Sequence, residues 1–458
     1  MSDVRRFDMI NSSIWKTIPL FALPVAATAI LEQLFNASDI AIVGNFTGAQ
    51  KTAAVAAVGA NSAIIALVVN LFVGIALGAN VVIANAVGRK DDESVRKAVH
   101  TSIVVSVFGG ILVGVLGEIF ATPILRLLNV PDDVFPLALV YLRIYLLGLL
   151  VILLYNFEAA IFRSIGDTRT PLVALVISGV LNVALNLFFV VVLKMTVNGV
   201  AIATVISNAV SALILFRQLL KSNQVVRVDF KKLRVDSAIL AQILRIGLPA
   251  GIQSSVFAIS NIVIQAAINS LGTVIMAASS AAYNIEIITY YILNSFAQAC
   301  TTFVGQNFGA GKMNRCKKTL ALCLAEGGIV LAAAIAAVLV FGKNLLSLFN
   351  SDPEVVKAGY IRLMFAMASH SFSLFYEVMS GYLRGFGISL VPAILTMIGV
   401  CGVRIAWIEL VFPQSHTFQT IMTAYPLSLS TTALLILIAV ICCRLARRFK
   451  TGFSANVK

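Results

Sequence analysis

Residues 87–99 read VGRKDDESVRKAV, a short charged stretch between two long apolar runs. A second stretch of this kind, FGAGKMNRCKKTL at 308–320, repeats a glycine and a lysine at the same relative positions, 221 residues further along. The same separation relates FRSIGDTRTP at 162–171 to LRGFGISLVP at 383–392. Shared turn and charge positions in the same order are hard to obtain by chance. The sequence therefore predicts two copies of one structural unit.

Long apolar runs surround these charged stretches throughout the chain. Of the 458 residues, 59% are hydrophobic and 12% are charged, and the mean hydropathy is +0.96, too apolar for a soluble protein of this length. A helix needs roughly 20 apolar residues to cross a bilayer core. The runs that are long enough lie at 15–47, 53–87, 98–121, 134–161, 170–193, 198–220, 239–271, 274–304, 319–341, 355–383, 389–412 and 418–443. They predict an all-α membrane protein with about twelve transmembrane helices.

The charged residues predict how these helices are oriented. When the 34 lysines and arginines are assigned to alternate loops, about 26 fall on one side of the membrane and about 8 on the other. Because cytoplasmic loops carry such an excess, we expect a multi-pass protein of the plasma (inner) membrane with both termini cytoplasmic. The first apolar run continues to Val43 without a cleavage site, which predicts a retained helix. The net charge of +14 indicates contact with anionic membrane lipid, and no nucleic-acid partner is expected.

The number of spans also predicts the arrangement of the two copies. Since each copy would have an even number of helices, both enter the membrane from the same side. We expect two six-helix lobes related by a pseudo-two-fold axis, as in transporters with parallel repeats, and able to alternate access to a site at the midplane. The predicted boundaries are 1–220 for the N-terminal lobe, 221–238 for a cytoplasmic linker, 239–443 for the C-terminal lobe and 444–458 for a basic cytoplasmic tail.

The sequence offers little support for catalysis. It lacks the G-x-x-x-x-G-K-[ST] phosphate loop that an ATP-driven pump would need. The three histidines, His100, His370 and His416, are far apart, and the six cysteines show no paired metal-ligand spacing. We therefore expect a protein that is not an enzyme, with no catalytic residues, no metal site and no cofactor.

Several motifs give the chain a specific resemblance. They are Leu-Pro at 23–24 and again at 248–249, SDIAIVGNFTG at 38–48, the two charged stretches, RSIGDTRTP, VLNVALNLFFV at 180–190 and NGVAIATVISN at 198–208. In their order and duplication they resemble the multidrug and toxic compound extrusion (MATE) family, more closely its prokaryotic DinF/MepA-like branch than its NorM branch. The resemblance implies a MATE-like fold and a secondary antiporter that exports small, cationic or amphipathic organic compounds in exchange for protons or sodium. A lipid or lipid-linked-precursor flippase of the related superfamily is the alternative, and we expect a monomer.

Polar residues inside the apolar runs are the candidates for ion coupling, since an ionisable group in hydrocarbon costs about 2.5–3.5 kcal/mol. Glu32, Asn36 and Asp39 follow one another at helical spacing and share one face of the first helix. By the resemblance, Asp39 occupies the position of the acid that couples transport to protons or sodium. Protonation of Asp39 is therefore the predicted coupling event.

A second polar face completes the predicted ion-coupling set. Asn182 and Asn186 lie four residues apart on one helix, and Thr204 in the next helix could approach them. Relatives of the DinF branch often carry an acid where Asn186 stands, so this chain lacks one carboxylate of such a site, and protons are slightly favoured over sodium. Glu158 could substitute for the missing acid, or could pair with Arg163 near the cytoplasmic surface.

The second copy supplies most of the predicted substrate contacts. Asn261 and Gln265 share one face of their helix, and Glu286 lies in the next. His370 and Glu377, seven residues apart, also share a face, either as substrate contacts or as a buried hydrogen-bonded pair. The predicted substrate-binding residues are Glu286, Asn261, Gln265, His370, Glu377 and, from the first copy, Glu158.

Two further predictions concern an arginine and two prolines. Arg404 is expected to neutralise an acidic neighbour, because an unpaired guanidinium inside a membrane is costly. Pro24 and Pro249 stand at equivalent positions of the two copies. Because proline inside a helix removes a backbone hydrogen bond and permits bending, both are predicted hinges.

Overall fold

The computed structural model of the protein describes residues 8–128, 130–222 and 225–455, apart from the side chains of residues 49 and 444–455. Within these residues the regular structure is helical, without a strand. The first half contains α1 Ile14–Phe46, α2 Lys51–Arg89, α3 Asp92–Leu127, α4 Phe135–Ser164, α5 Arg169–Leu187 and α6 Val197–Lys221. The second half contains α7 Ser237–Asn269, α8 Thr273–Gly309, α9 Met313–Ser347, α10 Pro353–Gly385, α11 Leu390–Thr396, α12 Val403–Leu410, α13 Phe412–Ser415 and α14 Phe418–Ala455. The all-α fold class is confirmed.

Ten helical segments in the described part of the chain are long and apolar enough to cross a membrane. Two other helices, α8 and α10, have 37 and 33 residues but carry polar groups such as Glu286 and His370, which lower their hydropathy. These two helices pack against each other, so their polar side chains can face one another instead of lipid. With them, the long helical segments correspond one for one to the predicted apolar runs.

The backbone repeats itself at the positions that the duplicated motifs predict. Lys90 and Gly311, which end α2 and α8, both have positive φ, 57° and 73°. Gly166 and Gly387, which precede α5 and α11, have φ of 87° and 80°. In all four cases the N–H donates to the carbonyl three residues earlier. Each of the two turns in the first half therefore recurs 221 residues later with the same backbone conformation, as expected for a duplicated unit.

A second repeated feature is a π-helical stretch in the fifth long segment of each half. The first, Phe188–Val192, follows α5 directly. The second, Met397–Gly402, joins α11 to α12. Because π turns interrupt the regular helical ladder and occur frequently at functional sites, these stretches direct attention to the polar residues beside them.

The described chain divides into two compact units. The first unit contains Pro24–Gly251, and the second contains Met9–Leu23 and Ile252–Lys458. The part of α1 before Pro24 therefore belongs to the second unit, and the part of α7 up to Gly251 belongs to the first. At the starts of these two helices the units differ from the predicted lobes, 1–220 and 239–443. Of the predicted basic tail, 444–458, helix α14 includes the part up to Ala455, and the tail's side chains lie outside the described residues.

Small residues explain why the start of α7 belongs to the first unit. Gly74 and Gly78 of α2 face Gly247 and Gly251 of α7, each pair at the spacing of a G-x-x-x-G motif. A Cβ placed on Gly74 would lie 2.2 Å from the backbone nitrogen of Gly251, so a larger side chain could not be accommodated without moving the helices. The two backbones are therefore in direct contact on the N-terminal side of Ile252.

Polar contacts explain why the start of α1 belongs to the second unit. Asn307 Nδ2 donates to the Met9 carbonyl at 3.0 Å, and Arg315 Nη2 donates to the carbonyls of Met9 and Ser12 at 3.1 and 2.8 Å. The ring of Phe21 packs edge-on against Phe303 with centroids 5.8 Å apart. The segment before Pro24 is thus held by α8 and the first turn of α9.

Candidate functional site

The first unit buries one carboxylate in a cluster of neutral polar groups. Asp39 of α1 is 6% exposed. Asn186 Nδ2, from α5, donates to Asp39 Oδ1, and Thr204 Oγ1, from α6, lies 3.1 Å from Asp39 Oδ2 as a donor. The sequence predicted these residues as one site, and the structure brings them into direct contact although they are far apart in the chain.

Asn182 completes the cluster. Its Oδ1 accepts from Asn186 Nδ2 at 3.1 Å, and its Nδ2 donates to Thr204 Oγ1 at 3.4 Å. Thr204 thus contacts Asn182 directly, and Asn182 in turn contacts Asn186. None of the salt bridges in the described part of the chain involves Asp39. Amide and hydroxyl dipoles can orient this carboxylate, but they cannot neutralise its charge.

Local packing explains why the asparagines of α5 lie close to α1. A Cβ on Gly179 would lie 1.8 Å from the ring of Phe35, so α5 approaches α1 directly one turn before Asn182. The π-helical stretch Phe188–Val192 begins two residues after Asn186 and changes the direction of the following side chains. Asn182 and Asn186 thus lie on the last regular turns of α5, facing Asp39.

Glu32 and Asn36 are separated from this cluster. Both side chains are exposed, although they share the helical face of Asp39 as predicted. The structure therefore places only Asp39, of the three predicted α1 residues, among hydrogen-bonding partners from α5 and α6.

Glu158 of α4 occupies a different environment. It is 0% exposed, and neither of its carboxyl oxygens has a hydrogen-bond partner within the described residues. The alternative pairing with Arg163 is not formed, because no described salt bridge joins the two side chains. The described residues around it offer no group that would stabilise a negative charge, which would be costly at this position.

The second unit pairs its buried acid with a base. Arg362 of α10 donates through Nε to Glu286 Oε2 at 3.0 Å, with Nη2 at the same distance, and through Nη1 to Ser279 Oγ at 2.5 Å. The guanidinium also lies over the rings of Tyr283 and Tyr425, at 5.6 and 5.7 Å from their centroids. Glu286 was predicted as a contact for a cationic substrate, but its charge is already neutralised within the protein.

Arg362 is a buried functional candidate that sequence reasoning missed. The signal was present, because Arg362 stands inside the apolar run 355–383, where an arginine needs a partner.

Arg404, in contrast, was expected to have an acidic partner. Arg404 Nε donates to Ser428 Oγ at 3.1 Å, and its guanidinium lies 4.5 Å from the ring centroid of Tyr425. That prediction was wrong, since no carboxylate forms a salt bridge with Arg404 in the described residues. A hydroxyl and an aromatic face replace the acid.

His370 and Glu377 both face α8, as their spacing predicted, but they do not bond to each other. His370 Nδ1 lies 2.8 Å from Thr289 Oγ1, and Tyr290 donates its hydroxyl to Glu377 Oε1 at 3.3 Å. The alternative of a hydrogen-bonded His370–Glu377 pair is therefore not observed, since each side chain contacts α8 separately, and their role as substrate contacts stays a prediction. The two side chains belong to the α8–α10 interface of the second unit.

The predicted α7 residues lie on an exposed face. Asn261 and Gln265 are both exposed, and Gln265 Nε2 donates to Asn269 Oδ1 at 2.8 Å. None of the described hydrogen bonds of Glu286 and Arg362 involves Asn261 or Gln265. Their place on one helical face is as predicted, while their role stays a prediction.

A long polytopic helical chain with a duplicated unit and buried ionisable residues is the architecture of a membrane transporter. The MatE family model matches this chain over two segments, 24–188 and 249–408, which begin at Pro24 and Pro249 and so reproduce the duplication. The chain belongs to the MatE family and is a transporter of that family, not an enzyme.

Relatives and solved structures agree with this assignment. The probable multidrug resistance protein YoeA of Bacillus subtilis is 26% identical over 435 residues, covering 93% of each chain. The multidrug export protein MepA of Staphylococcus aureus is 24% identical over 373 residues, covering 81% of each. An outward-facing multidrug resistance MATE transporter of the MOP superfamily superposes with a TM-score of 0.88 at 20% identity, over 97% of this chain and 99% of that one. A MOP superfamily transporter from Pyrococcus furiosus gives 0.88 at 21% identity, over 96% and 98%. At these identities the structures show the fold alone.

Proposed function

We propose that this chain is a secondary antiporter that exports small cationic or amphipathic organic compounds and takes up protons through Asp39. The observation that carries the proposal is a buried carboxylate whose partners are all neutral. A charge buried without a counter-charge in the protein must be compensated by a bound proton or cation. Glu158 of the same unit is also buried, but its carboxyl oxygens have no hydrogen-bond partner among the described residues, whereas Asp39 is held by groups from α5 and α6. We therefore assign the proton uptake to Asp39. The names of YoeA and MepA as multidrug proteins support the substrate class.

The cluster is suited to protons. It contains a single carboxylate, and the amide NH2 group of Asn186 donates to both Asp39 Oδ1 and Asn182 Oδ1, two oxygens that a sodium ion would need as ligands. The amide oxygen of Asn186 has no hydrogen-bond partner among the described residues, but one neutral oxygen and one carboxylate are fewer ligands than a hard cation prefers. With the carboxyl protonated, the attraction to an organic cation is removed. With the carboxyl ionised, a cation is attracted. Uptake of a proton from outside therefore favours release of the substrate there.

The driving force is sufficient for uphill export. Each unit of pH difference supplies about 1.4 kcal/mol per proton. A membrane potential of about 100 mV adds about 2.3 kcal/mol for each net charge that moves inward. One proton can thus drive a tenfold to several-hundredfold accumulation of a neutral substrate.

The deciding experiment uses Asp39→Asn in proteoliposomes loaded with a fluorescent lipophilic cation. The asparagine keeps the shape of the side chain but binds no proton, so the variant should bind the dye and fail to move it against its gradient when a pH gradient is imposed. Asp133→Asn, which changes an exposed acid between α3 and α4, is the matched control and should transport normally. Full proton-driven export by Asp39→Asn would refute the proposal. Equal export in a sodium gradient without a pH gradient would assign the site to sodium, and movement of lipid without dye would favour a flippase.

We further propose that the chain works as a monomer in the plasma membrane with its termini and the linker 221–238 in the cytoplasm. The excess of lysine and arginine in these segments supports this orientation. Single cysteines at Ser222 and Ser237, in a cysteine-free background, should resist a membrane-impermeant maleimide in intact cells and react after the membrane is opened. Reaction in intact cells would reverse the orientation.

A further inference from the structure

A cavity lies between the start of α3 and the segment that leads into α7. Its volume is about 420 Å³, within the range of small-molecule sites. The lining residues that carry charge are Arg96, Lys97, Lys231, Lys232 and Arg234 as cations, and Glu93 and Asp236 as anions. All of them belong to the first unit, far in sequence from the Asp39 cluster.

The walls of this cavity are held by specific contacts. Val226 and Val228 are both 2% exposed, so the chain after α6 packs into the apolar core. The N–H of Asp229 donates to His100 Nε2 at 3.0 Å, and the N–H of Asp236 donates to Thr101 Oγ1 at 3.1 Å. Residues 225–236 are thus fastened to α3 at two points, and the cavity between them has a defined shape.

His100 adds rigidity without adding charge. Its Nε2 accepts a hydrogen bond from Asp229, while its Nδ1 lies 2.7 Å from the Arg96 carbonyl and must donate to it. An imidazole with one accepting and one donating nitrogen is neutral. The His100 side chain therefore links the backbone of α3 to the backbone of the linker through two hydrogen bonds.

The charges of the cavity are unbalanced. Lys97 pairs with Glu93 at 2.7 Å and lies 3.9 Å from Asp236, which accounts for both of the acids. Arg96, Lys231 and Arg234 form no salt bridge within the described residues. The preference for positive cytoplasmic loops explains why cations occur on this face, but it does not require them to converge on one cavity with fixed walls.

We propose that this cavity binds a phosphate group, carried by an anionic phospholipid headgroup or by a soluble phosphate. Two arginines offer the forked donors that match phosphate oxygens, and Lys231 adds a point charge. The volume exceeds that of the phosphate alone and leaves room for an attached glycerol or sugar-sized group. Occupancy would join α3 to the linker through one anion, in addition to the two hydrogen bonds.

The test measures thermal unfolding of the purified full-length protein in nanodiscs. One arm adds inorganic phosphate to phosphatidylcholine nanodiscs, against chloride at equal ionic strength. The other arm compares phosphatidylcholine with nanodiscs containing about one-fifth phosphatidylglycerol. We expect the midpoint of unfolding to rise by about 2 °C or more in at least one arm. A rise with phosphate identifies a soluble ligand, and a rise with phosphatidylglycerol alone identifies the lipid.

The variants connect any rise to the cavity. We expect the rise in the unfolding midpoint to fall by at least half in the double variant Arg96→Gln/Arg234→Gln. The control variant Lys317→Gln/Lys318→Gln removes two exposed charges in the second unit and should show the full rise. Lys231→Gln, a single change at an exposed side chain, provides the same readout if the double variant folds poorly. No rise in either arm, or an equal rise in the cavity variants and the control, would overturn the proposal. Neither result depends on transport, so the proposed export activity is judged separately.

Discussion

One buried acid in each unit, Asp39 in the first and Glu286 in the second, is surrounded in an opposite way. Asp39 in the first unit is surrounded by the amides of Asn182 and Asn186 and the hydroxyl of Thr204. Glu286 in the second unit lies against the guanidinium of Arg362. One carboxylate is oriented but not neutralised, and the other is neutralised inside the protein. Although the two halves arose from one unit, their buried acids have diverged in chemistry.

The difference bears on the proposal that Asp39 is the acid that responds to ions. Removing the charge of Glu286 by a proton would leave the Arg362 guanidinium buried without a partner, which is strongly unfavourable. Asp39 gains a proton or cation without leaving any base unpaired. These contacts support the proposal that ion coupling involves Asp39 of the first unit, while the Glu286–Arg362 pair in the second unit joins α8 to α10.

The largest expected effect comes from breaking the pair in the second unit. Arg362→Gln should destabilise the protein by about 3–5 kcal/mol, because Glu286 stays buried without a counter-charge. The double variant Glu286→Gln/Arg362→Gln should recover most of this loss. Thermal unfolding and the yield of monodisperse protein measure both effects.

The matched control for this comparison is an exposed pair. Arg143 lies 3.4 Å from Glu118, with side chains 45% and 33% exposed. Arg143→Gln should cost only about 0–1 kcal/mol. If Arg362→Gln were no less stable than Arg143→Gln, the pair in the second unit would not hold the two helices together.

A smaller effect is expected from adding an acid to the first unit. Asn186→Asp places a second carboxyl against Asp39. Because two adjacent carboxylates repel each other, the pair retains one shared proton to a higher pH. The pH optimum of proton-driven export should move up by about one unit. Asn198→Asp adds an acid in the first turn of α6, where its oxygen can still accept from the N–H of Thr196, and should leave the optimum unchanged. Coincident profiles for Asn186→Asp and the unmodified protein would place the proton elsewhere.

The smallest effect concerns the helices that change unit. Pro24→Ala and Pro249→Ala restore a backbone donor where α1 and α7 pass from one unit to the other, so each should slow export by about twofold to fivefold without loss of stability. Pro123→Ala, inside α3 and within one unit, should leave the rate unchanged. Initial rates of dye export, corrected for protein content, measure the difference. Rates equal to that of Pro123→Ala would remove the hinge role of both prolines.

The polar positions illustrate how far sequence reasoning reaches. Asp39, Asn182, Asn186 and Thr204 were predicted as one site, since acids and amides in apolar runs are few and their helical faces are readable. Glu286 was found for the same reason. Its partner Arg362 was not, because which of several arginines reaches an acid depends on how two helices pack.

The sequence by itself determined the all-α membrane fold, the number of long helices and the duplication, because each of these follows from hydropathy, charge and repeated turns along the chain. The family was indicated by the resemblance of its motifs to those of MATE transporters. Only the tertiary structure decided which acids have partners: that Asp39 contacts amides, that Glu286 contacts Arg362 and that Glu158 contacts no hydrogen-bonding group among the described residues. It also decided that the beginnings of α1 and α7 belong to the second and first units respectively. The physical reason is that periodicity specifies which face of a helix is polar, whereas the neighbour of that face is chosen by close packing, such as that of Gly74 on Gly251, over distances that the sequence does not encode locally.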